Sequence, residues 1–138
     1  MKKKYILHLI SGLEVGGAET QLLRILPELQ AYHDNIVCCV RGRGPIGKEL
    51  EKNGIPVRYL DFGGFSDVMV IRRFYCAIKE LSPDIIVTYL IHADLYGRIF
   101  GKIFGVKKIV SSKRGALLQW EWLARIDWFT KWMVSHYL

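Results

Sequence analysis

A pair of glycines followed by an acid stands near the start of the chain. Gly16 and Gly17 precede a segment of helical periodicity, and Glu19 falls in what would be its first turn. The first amides of a helix lack intrahelical partners and carry partial positive charge, and glycines let a phosphate approach that backbone closely. Gly16 and Gly17 are therefore candidate phosphate-binding residues, and Glu19 could reach a ligand hydroxyl. The alternative is a flexible turn in which Glu19 only complements the helix dipole.

A histidine, an acid and two cations follow later apolar runs. His92 and Asp94 come just after one such run, and Lys113 and Arg114 come after the next. His92 is a candidate catalytic residue because an imidazole can exchange a proton near neutral pH, and the alternative is a structural histidine. Asp94 could contact a ligand or cap the following helix. Lys113 and Arg114 could bind a phosphate or carboxylate, the arginine in bidentate fashion, or form a solvated charge pair.

A glycine-rich segment also fits a dinucleotide-binding pattern. Gly42, Gly44 and Gly47 match G-x-G-x-x-G, and Asp61 ends the next apolar run. This match predicts a dinucleotide-binding oxidoreductase domain. Two features weaken the dinucleotide-binding interpretation. Pro45 removes an amide from the turn that would face the phosphates, and the following helix is only about two turns long. A basic turn without a ligand is the favoured interpretation.

Short β-branched runs that are apolar on both faces alternate with stretches of helical period. Strands that are apolar on both faces are typical of a parallel sheet covered by helices on either side. The strands are predicted at residues 5–11, 35–41, 57–61, 84–89 and 107–111. The helices are predicted from Ala18, over about 46–53, 67–81 and 93–104, and from Leu118 to the end, with Asp67 as an N-cap and Gly54 and Gly105 as stops.

Five successive strand–helix units predict one α/β domain over residues 1–138, with an open, doubly wound, Rossmann-like parallel sheet of five strands and flanking helices. Ligands of such sheets bind beyond the carboxyl ends of the strands. The loops that carry the glycines, His92 and the cations should therefore line one edge of the sheet. The residues along this edge predict that the ligand is an anionic, phosphorylated small molecule.

Composition excludes several classes of protein. The chain has 138 residues, 51% of them hydrophobic, a net charge of +7, and only three cysteines. One self-sufficient core is expected at this length, whereas disordered, collagen-like and disulfide-scaffold proteins are excluded, and no apolar run approaches the roughly 20 residues of a membrane span. Cys38, Cys39 and Cys76 are interpreted as reduced core thiols of a cytoplasmic protein. No metal-ligand spacing is present, so no metal is predicted.

The final segment is crowded with aromatic residues beside cations. This pattern is typical of a helix that packs on a sheet and also of a helix at a membrane surface. An anionic membrane is therefore a possible partner, and a non-enzymatic membrane-docking module is an alternative function. Nucleic acid is not predicted, because the cations are dispersed and no recognition motif is present. The residues concerned are Trp120, Trp122, Arg125, Trp128, Phe129, Lys131, Trp132 and Tyr137.

Three segments together resemble family-four glycosyltransferases, enzymes with the two-domain GT-B fold. Residues 6–19 are similar to the opening strand and GGxE-type loop of that family, and residues 47–57 to its short helix and third strand. Residues 83–87 with 92–97 are similar to a strand followed by an HADxxG-like segment. The resemblance covers nearly the whole chain, and the order and spacing of the three segments are more specific than any one of them.

The resemblance implies the N-terminal, acceptor-side half of such an enzyme, without the C-terminal half that supplies most donor contacts. It implies transfer of a sugar, with retention at the anomeric carbon, from a nucleoside-diphosphate sugar to a glycan or lipid-linked acceptor in surface-polysaccharide synthesis. The reaction that the resemblance implies requires no metal and no prosthetic group. The 138-residue chain alone is expected to be inactive, and the enzyme is expected in the cytoplasm, peripheral at the inner face of the membrane.

The resemblance also assigns roles to the candidate residues. Gly16 and Gly17 would lie near the donor diphosphate. His92, Asp94, Lys113 and Arg114 would face the acceptor or the transferred sugar. Glu19 is assigned to the same ligand, and His92 is the candidate catalytic residue, on the residue arguments given above. One departure concerns the fifth loop, where some members of the family carry a histidine and this chain has Ser112 and Lys113. No catalytic role is therefore assigned to that loop.

Overall fold

Strands and helices alternate along the residues that the computed structural model describes, which are 2–64, 67–112 and 136–137. The strands are β1 (Tyr5–Ile10), β2 (Asp34–Cys39), β3 (Val57–Tyr59), β4 (Ile85–Tyr89), β5 (Lys108–Ser112) and β6 (His136–Tyr137). The helices are α1 (Gly17–Leu29), α2 (Pro45–Lys52), α3 (Val68–Leu81) and α4 (Ile91–Ile103). The first five strands and four helices fall within one or two residues of their predicted bounds.

All six strands pair in parallel in one sheet, in the order β3-β2-β1-β4-β5-β6. From β1 the strands are added in the order β2, β3 on one side of the sheet, and β4, β5 and β6 are added on the other side. The order of addition therefore reverses between β1 and β4. The strands also end level, because Ile10 lies opposite Cys39 and Tyr89, and Tyr89 lies opposite Ser112. The prediction of a doubly wound, Rossmann-like α/β fold is confirmed.

In the described part of the chain, each face of the sheet carries two helices and its own core. On one face, α1 and α2 pack through Leu22, Leu26 and Leu50 against the strands. On the other face, α3 and α4 pack through Phe74 and Ala93. Apolar residues of both strand faces are thereby removed from water, which is the main stabilising contribution to such a fold.

The helix ends follow the local sequence. The Asp67 carboxylate accepts a hydrogen bond of 3.0 Å from the Met69 amide and caps α3, as predicted. Gly54 and Gly105 have φ values of 78° and 87° just beyond α2 and α4, a left-handed conformation that glycine adopts without a steric cost.

The prediction of a helix up to the last residue is wrong at His136 and Tyr137, which form β6. This short strand extends the sheet beside β5, with Val110 opposite His136 and Ser111 opposite Tyr137. Two residues are too few for hydrophobic periodicity to reveal a strand, and pairing with the free edge of β5 determines their conformation. The rest of that predicted helix, including Trp120, Trp122, Trp128, Phe129 and Trp132, lies outside the described residues.

The three cysteines differ in burial. Cys38 and Cys39 are buried in β2, as predicted, and burial raises the pKa of their thiols to about 12 and about 11. The prediction of a core thiol is wrong for Cys76, which is exposed on α3. Its neighbours Phe74, Ala77 and Ile78 occupy the buried face of that helix, and Cys76 lies on the opposite face.

Within the described ranges, no helix has the length and apolar character needed to cross a bilayer. The same residues contain no group of three or more His, Cys, Asp or Glu side chains arranged to hold a metal ion.

Candidate functional site

The loop that follows β1 contacts the starts of two other helices. Ser11 Oγ accepts a hydrogen bond of 3.1 Å from the Ala93 amide in the first turn of α4. The Leu13 carbonyl accepts one of 3.2 Å from the Ile46 amide in the first turn of α2. The loops after β1, β2 and β4 therefore meet at the carboxyl edge of the sheet, beside the point where the strand order reverses. Open α/β sheets bind their ligands at this position.

The N-terminus of α1 opens toward this edge. Gly16 is the N-cap, with an extended backbone, and Gly17 is the first helical residue. A Cβ added to Gly17 would meet no atom of the described residues within 4 Å. Packing within this part of the chain therefore does not require glycine at position 17. The missing side chain leaves the first amides of α1 open to an approaching group.

Glu19 folds back over the same helix end. A Cβ added to Gly16 would overlap Glu19 Oε2 and lie 3.1 Å from Glu19 Cδ. The residue is 9% exposed, and its carboxylate makes no hydrogen bond or ion pair with any other residue that the structure describes. The arrangement suits a ligand that donates hydrogen bonds, such as a sugar hydroxyl.

The turn from β4 into α4 carries backbone strain. Leu90 has φ 68° and ψ 163°, a region that is essentially restricted to glycine and costs of order 1–3 kcal/mol. Such conformations cluster at functional sites. His92, two residues on, lies exposed in the first turn of α4, at the same edge of the sheet as Gly17. Nothing in the sequence pattern marks Leu90, because leucine is not a residue expected at positive φ.

Asp94 is held in a buried polar network. Its Oδ1 accepts hydrogen bonds from Thr88 Oγ1, at 2.6 Å, and from Ser111 Oγ. Its Oδ2 is ion-paired with Arg98, which is 1% exposed and also donates to Ser111 Oγ at 3.2 Å. Both carboxylate oxygens therefore bind protein groups. In this arrangement Asp94 fixes α4 on β4 and β5, and so positions the turn that carries His92.

The sequence pattern does not mark Thr88, Arg98 or Ser111 as candidate site residues. The spacing of four residues between Asp94 and Arg98 on one helix face is the signal that could have revealed their pairing. Lys113 and Arg114 lie outside the described residues. Ser112, which precedes them, ends β5 level with β4.

The G-x-G-x-x-G loop is filled by protein atoms. A Cβ on Gly44 would overlap the Leu13 carbonyl and lie 2.5 Å from the Glu14 amide nitrogen. A Cβ on Gly47 would overlap the Tyr59 hydroxyl. Close packing against the β1 loop and β3 thus accounts for both glycines. The space that a dinucleotide pyrophosphate would need beside Gly44 is occupied by the Leu13 backbone, so the geometry disfavours an oxidoreductase site here.

A buried histidine connects the interior of the sheet to Tyr89 at its carboxyl edge. The Asn35 amide group donates to Gln30 Oε1 and to the His33 carbonyl, at 3.1 and 2.8 Å. Its Oδ1 therefore accepts from His8 Nε2 at 3.0 Å, and this leaves His8 Nδ1 to accept from the Tyr89 hydroxyl, also at 3.0 Å. Burial lowers the pKa of His8 to about 4, although the hydrogen bond to Asn35 partly opposes the shift.

We expect the free energy of unfolding to decrease as the pH falls from about 6.5 to about 4. The unfolded chain protonates His8 near pH 6.5, whereas the folded chain does so only near pH 4. The unfolded state therefore binds more protons in this window, and the loss should reach about 3 kcal/mol. Urea unfolding at pH 7, 5.5 and 4 measures this loss in the free energy of unfolding.

Two histidine variants separate this contribution from that of the carboxylates. His8→Gln should show a weaker dependence on pH than the unsubstituted chain. His33→Gln, which leaves His8 in place, should retain the full dependence. Equal pH dependence in the two variants would contradict the assignment to His8.

No family model matches the chain. Over 87 residues the chain is 29% identical to CapH, a capsular polysaccharide biosynthesis glycosyltransferase of Staphylococcus aureus, and the match covers 62% of this chain and 24% of CapH. The chain therefore matches about a quarter of the length of this curated relative.

Solved structures share the fold over most of the chain. Anabaena HepE in complex with UDP-glucose superposes with a TM-score of 0.76 at 20% identity, over 92% of this chain and 34% of HepE. A glycosyltransferase from Rickettsia africae gives 0.67 at 21% identity, over 92% and 34%. A UDP-N-acetylglucosamine 2-epimerase gives 0.62 at 14% identity, over 96% and 38%. At these identities the likeness establishes the fold, which is that of about one third of each larger protein.

Proposed function

We propose that residues 1–138 form the N-terminal, acceptor-side half of a retaining glycosyltransferase. This enzyme would transfer a sugar from a nucleoside-diphosphate sugar to a glycan or lipid-linked acceptor in surface-polysaccharide synthesis. Support comes from the resemblance to family-four enzymes, from the likeness to CapH and from the shared fold with HepE, a protein that binds UDP-glucose. A second, donor-binding half is part of the proposal, because the chain matches about a third of the solved structures.

The observation that carries the proposal is the pairing of Gly17 with Glu19 at one helix end. The open side of Gly17 exposes the first amides of α1 to a diphosphate. Glu19 places a negative charge over Gly16, which disfavours a phosphate at that point and favours hydroxyl donors. We therefore assign the diphosphate to the open side of Gly17 and a hydroxyl of the sugar or acceptor to Glu19.

The reaction would proceed between this edge and the second half. The bond from the anomeric carbon to the diphosphate oxygen breaks, and a bond to the acceptor oxygen forms on the same face of the sugar. The diphosphate oxygen leaves with the electron pair of the broken bond and takes up the proton of the acceptor hydroxyl. Positive charge at the start of α1 stabilises the departing diphosphate. In this scheme His92 contacts the acceptor, and Lys113 and Arg114 contact the acceptor or the transferred sugar.

The network around Asp94 has a positioning role in this scheme. Arg98, Thr88 and Ser111 occupy both carboxylate oxygens, so Asp94 is no longer proposed as a sugar ligand. By holding α4 against β4 and β5, the network fixes where His92 meets the acceptor. Association with the inner face of the membrane through the aromatic tail stays a prediction.

A titration with UDP-glucose, with GDP-mannose in parallel, tests the assignment of Gly17 and Glu19. We expect chemical-shift changes at the amides of Gly16, Gly17 and Glu19 in nitrogen-15 spectra of the chain. Glu19→Gln should weaken binding by at least about tenfold, because a hydrogen bond to a charged group contributes about 1.5–3 kcal/mol. Gly17→Asp should abolish binding, because it adds a side chain and a negative charge to the open side of the helix end.

Glu28→Gln is the matched control. Glu28 is an exposed acid near the far end of α1, and its substitution should leave affinity unchanged. Shift changes that avoid the start of α1, or unchanged affinity in both site variants, would contradict the proposal. Turnover of a sugar nucleotide by the 138-residue chain alone would contradict the assignment of essential donor contacts to a second half.

A further inference from the structure

A cleft of about 280 Å³ lies between β3 and α3, at the edge of the sheet. Three arginine side chains line it, Arg58 from β3 and Arg72 and Arg73 from α3. Leu60, Met69 and Cys76 contribute apolar and thiol surface. The α3 helix packs on the face of the sheet opposite α1, and β3 is two strands away from β1. The cleft is therefore separate from the helix end that carries Gly17 and Glu19.

The three arginines differ in how they are held. Arg73 Nη1 donates to the Leu60 and Asp61 carbonyls at 2.9 and 3.1 Å, which fixes this guanidinium at the end of β3. Arg58 Nη2 donates to Glu80 Oε2 at 2.7 Å. Arg72 is exposed and makes no hydrogen bond or ion pair with another residue in the described part of the chain.

Charge and size together indicate the kind of ligand. The lining carries three guanidinium groups and one carboxylate, that of Glu80, so an excess of positive charge faces a space somewhat smaller than a typical pocket for a drug-sized ligand. Guanidinium groups bind phosphate through paired, parallel hydrogen bonds. We propose that this cleft is a binding site for a small phosphorylated anion such as inorganic phosphate or a sugar phosphate.

Cys76 provides a direct measure of whether the cleft is occupied. This thiol lines the cleft and is exposed. Cys38 and Cys39, the other two cysteines of the chain, are buried, and their raised pKa values keep them protonated at neutral pH. Because the thiolate is the reactive form of cysteine, a maleimide added to the folded chain should modify Cys76 first.

The experiment measures the rate of Cys76 modification against the concentration of inorganic phosphate or glucose 1-phosphate, with potassium chloride at equal ionic strength as reference. We expect saturable slowing by at least about fivefold with the phosphates and none with chloride. In Arg72→Gln the half-protecting concentration should rise by about tenfold, the effect of losing charge-assisted hydrogen bonds. Arg24→Gln, which removes an exposed arginine of α1, should behave like the unsubstituted chain.

Several results would overturn the proposal. One is that chloride slows the modification of Cys76 as much as the phosphates do. Another is that Arg72→Gln leaves the half-protecting phosphate concentration unchanged, and a third is that Arg24→Gln raises it as much as Arg72→Gln does. Protection by vesicles of phosphatidylglycerol but not by the free phosphates would also overturn it and assign the surface to a membrane. Glu19→Gln should retain full protection, so the outcome is independent of the proposed sugar-nucleotide site.

Discussion

Replacing Asp94 with asparagine is expected to lower the free energy of unfolding by about 3–5 kcal/mol. Arg98 is 1% exposed and is ion-paired with Asp94. Asparagine has nearly the same shape as aspartate but no charge, so the substitution leaves a guanidinium buried without its counter-ion. The amide oxygen of asparagine can still accept the hydrogen bonds that Thr88 and Ser111 donate to Asp94 Oδ1. The amide NH2 group that replaces Oδ2 is itself a donor, so it cannot accept from Arg98. Urea unfolding at pH 7 gives the difference.

Two further variants make this prediction specific. Asp61→Asn removes the carboxylate of an exposed pair with Arg43, whose side chains are 51% and 64% exposed, and should cost less than about 1 kcal/mol. The double variant Asp94→Asn with Arg98→Met removes both buried charges and should recover a large part of the loss, because an apolar side chain can replace a buried ion pair. Equal losses in Asp94→Asn and Asp61→Asn would show that burial of Arg98 has no energetic consequence.

Gly44→Ala is expected to destabilise the fold by about 3 kcal/mol or more, the upper end of what overpacking costs. The added methyl group would overlap the Leu13 carbonyl and approach the Glu14 amide. Both are backbone atoms of the β1 loop, which cannot move aside as the end of a flexible side chain can. The β1 loop must shift, and with it the hydrogen bond between the Ile46 amide and the Leu13 carbonyl.

Gly17→Ala is the matched control for stability. The methyl group at this position meets open space, and alanine is favoured over glycine inside a helix by roughly 0.5–1 kcal/mol. This variant should be as stable as the unsubstituted chain or slightly more stable. A loss at Gly44 no larger than that at Gly17 would refute the packing explanation and reopen the dinucleotide interpretation of the G-x-G-x-x-G segment.

The fold was predictable because its main determinants are local. Runs such as Tyr5–Ile10 and Ile85–Tyr89 are apolar on both faces, and glycines or Asp67 stand at the helix ends where backbone geometry requires them. Cys76 was misassigned although the period was right, because an apolar residue on the exposed face of α3 looks like a core residue when read without its neighbours.

The candidate site was predictable only where one segment carries it. Gly16, Gly17 and Glu19 lie within four residues, so their geometry follows from the start of a single helix. The role of Asp94 depends on Thr88 and Ser111, which strand pairing places directly opposite each other. Their separation of 23 positions in the chain hides this proximity. Leu90 is a similar case, since only the surrounding tertiary structure can impose a positive φ on leucine.

The two anchors of the β1 loop have a consequence for how this protein can diverge. Ser11 holds the start of α4 on one face of the sheet, and Leu13 holds the start of α2 on the other. Substitutions within this loop can be accommodated one at a time, whereas an inserted or deleted residue would shift one anchor relative to the other. Homologous chains should therefore differ in the composition of this loop far more freely than in its length.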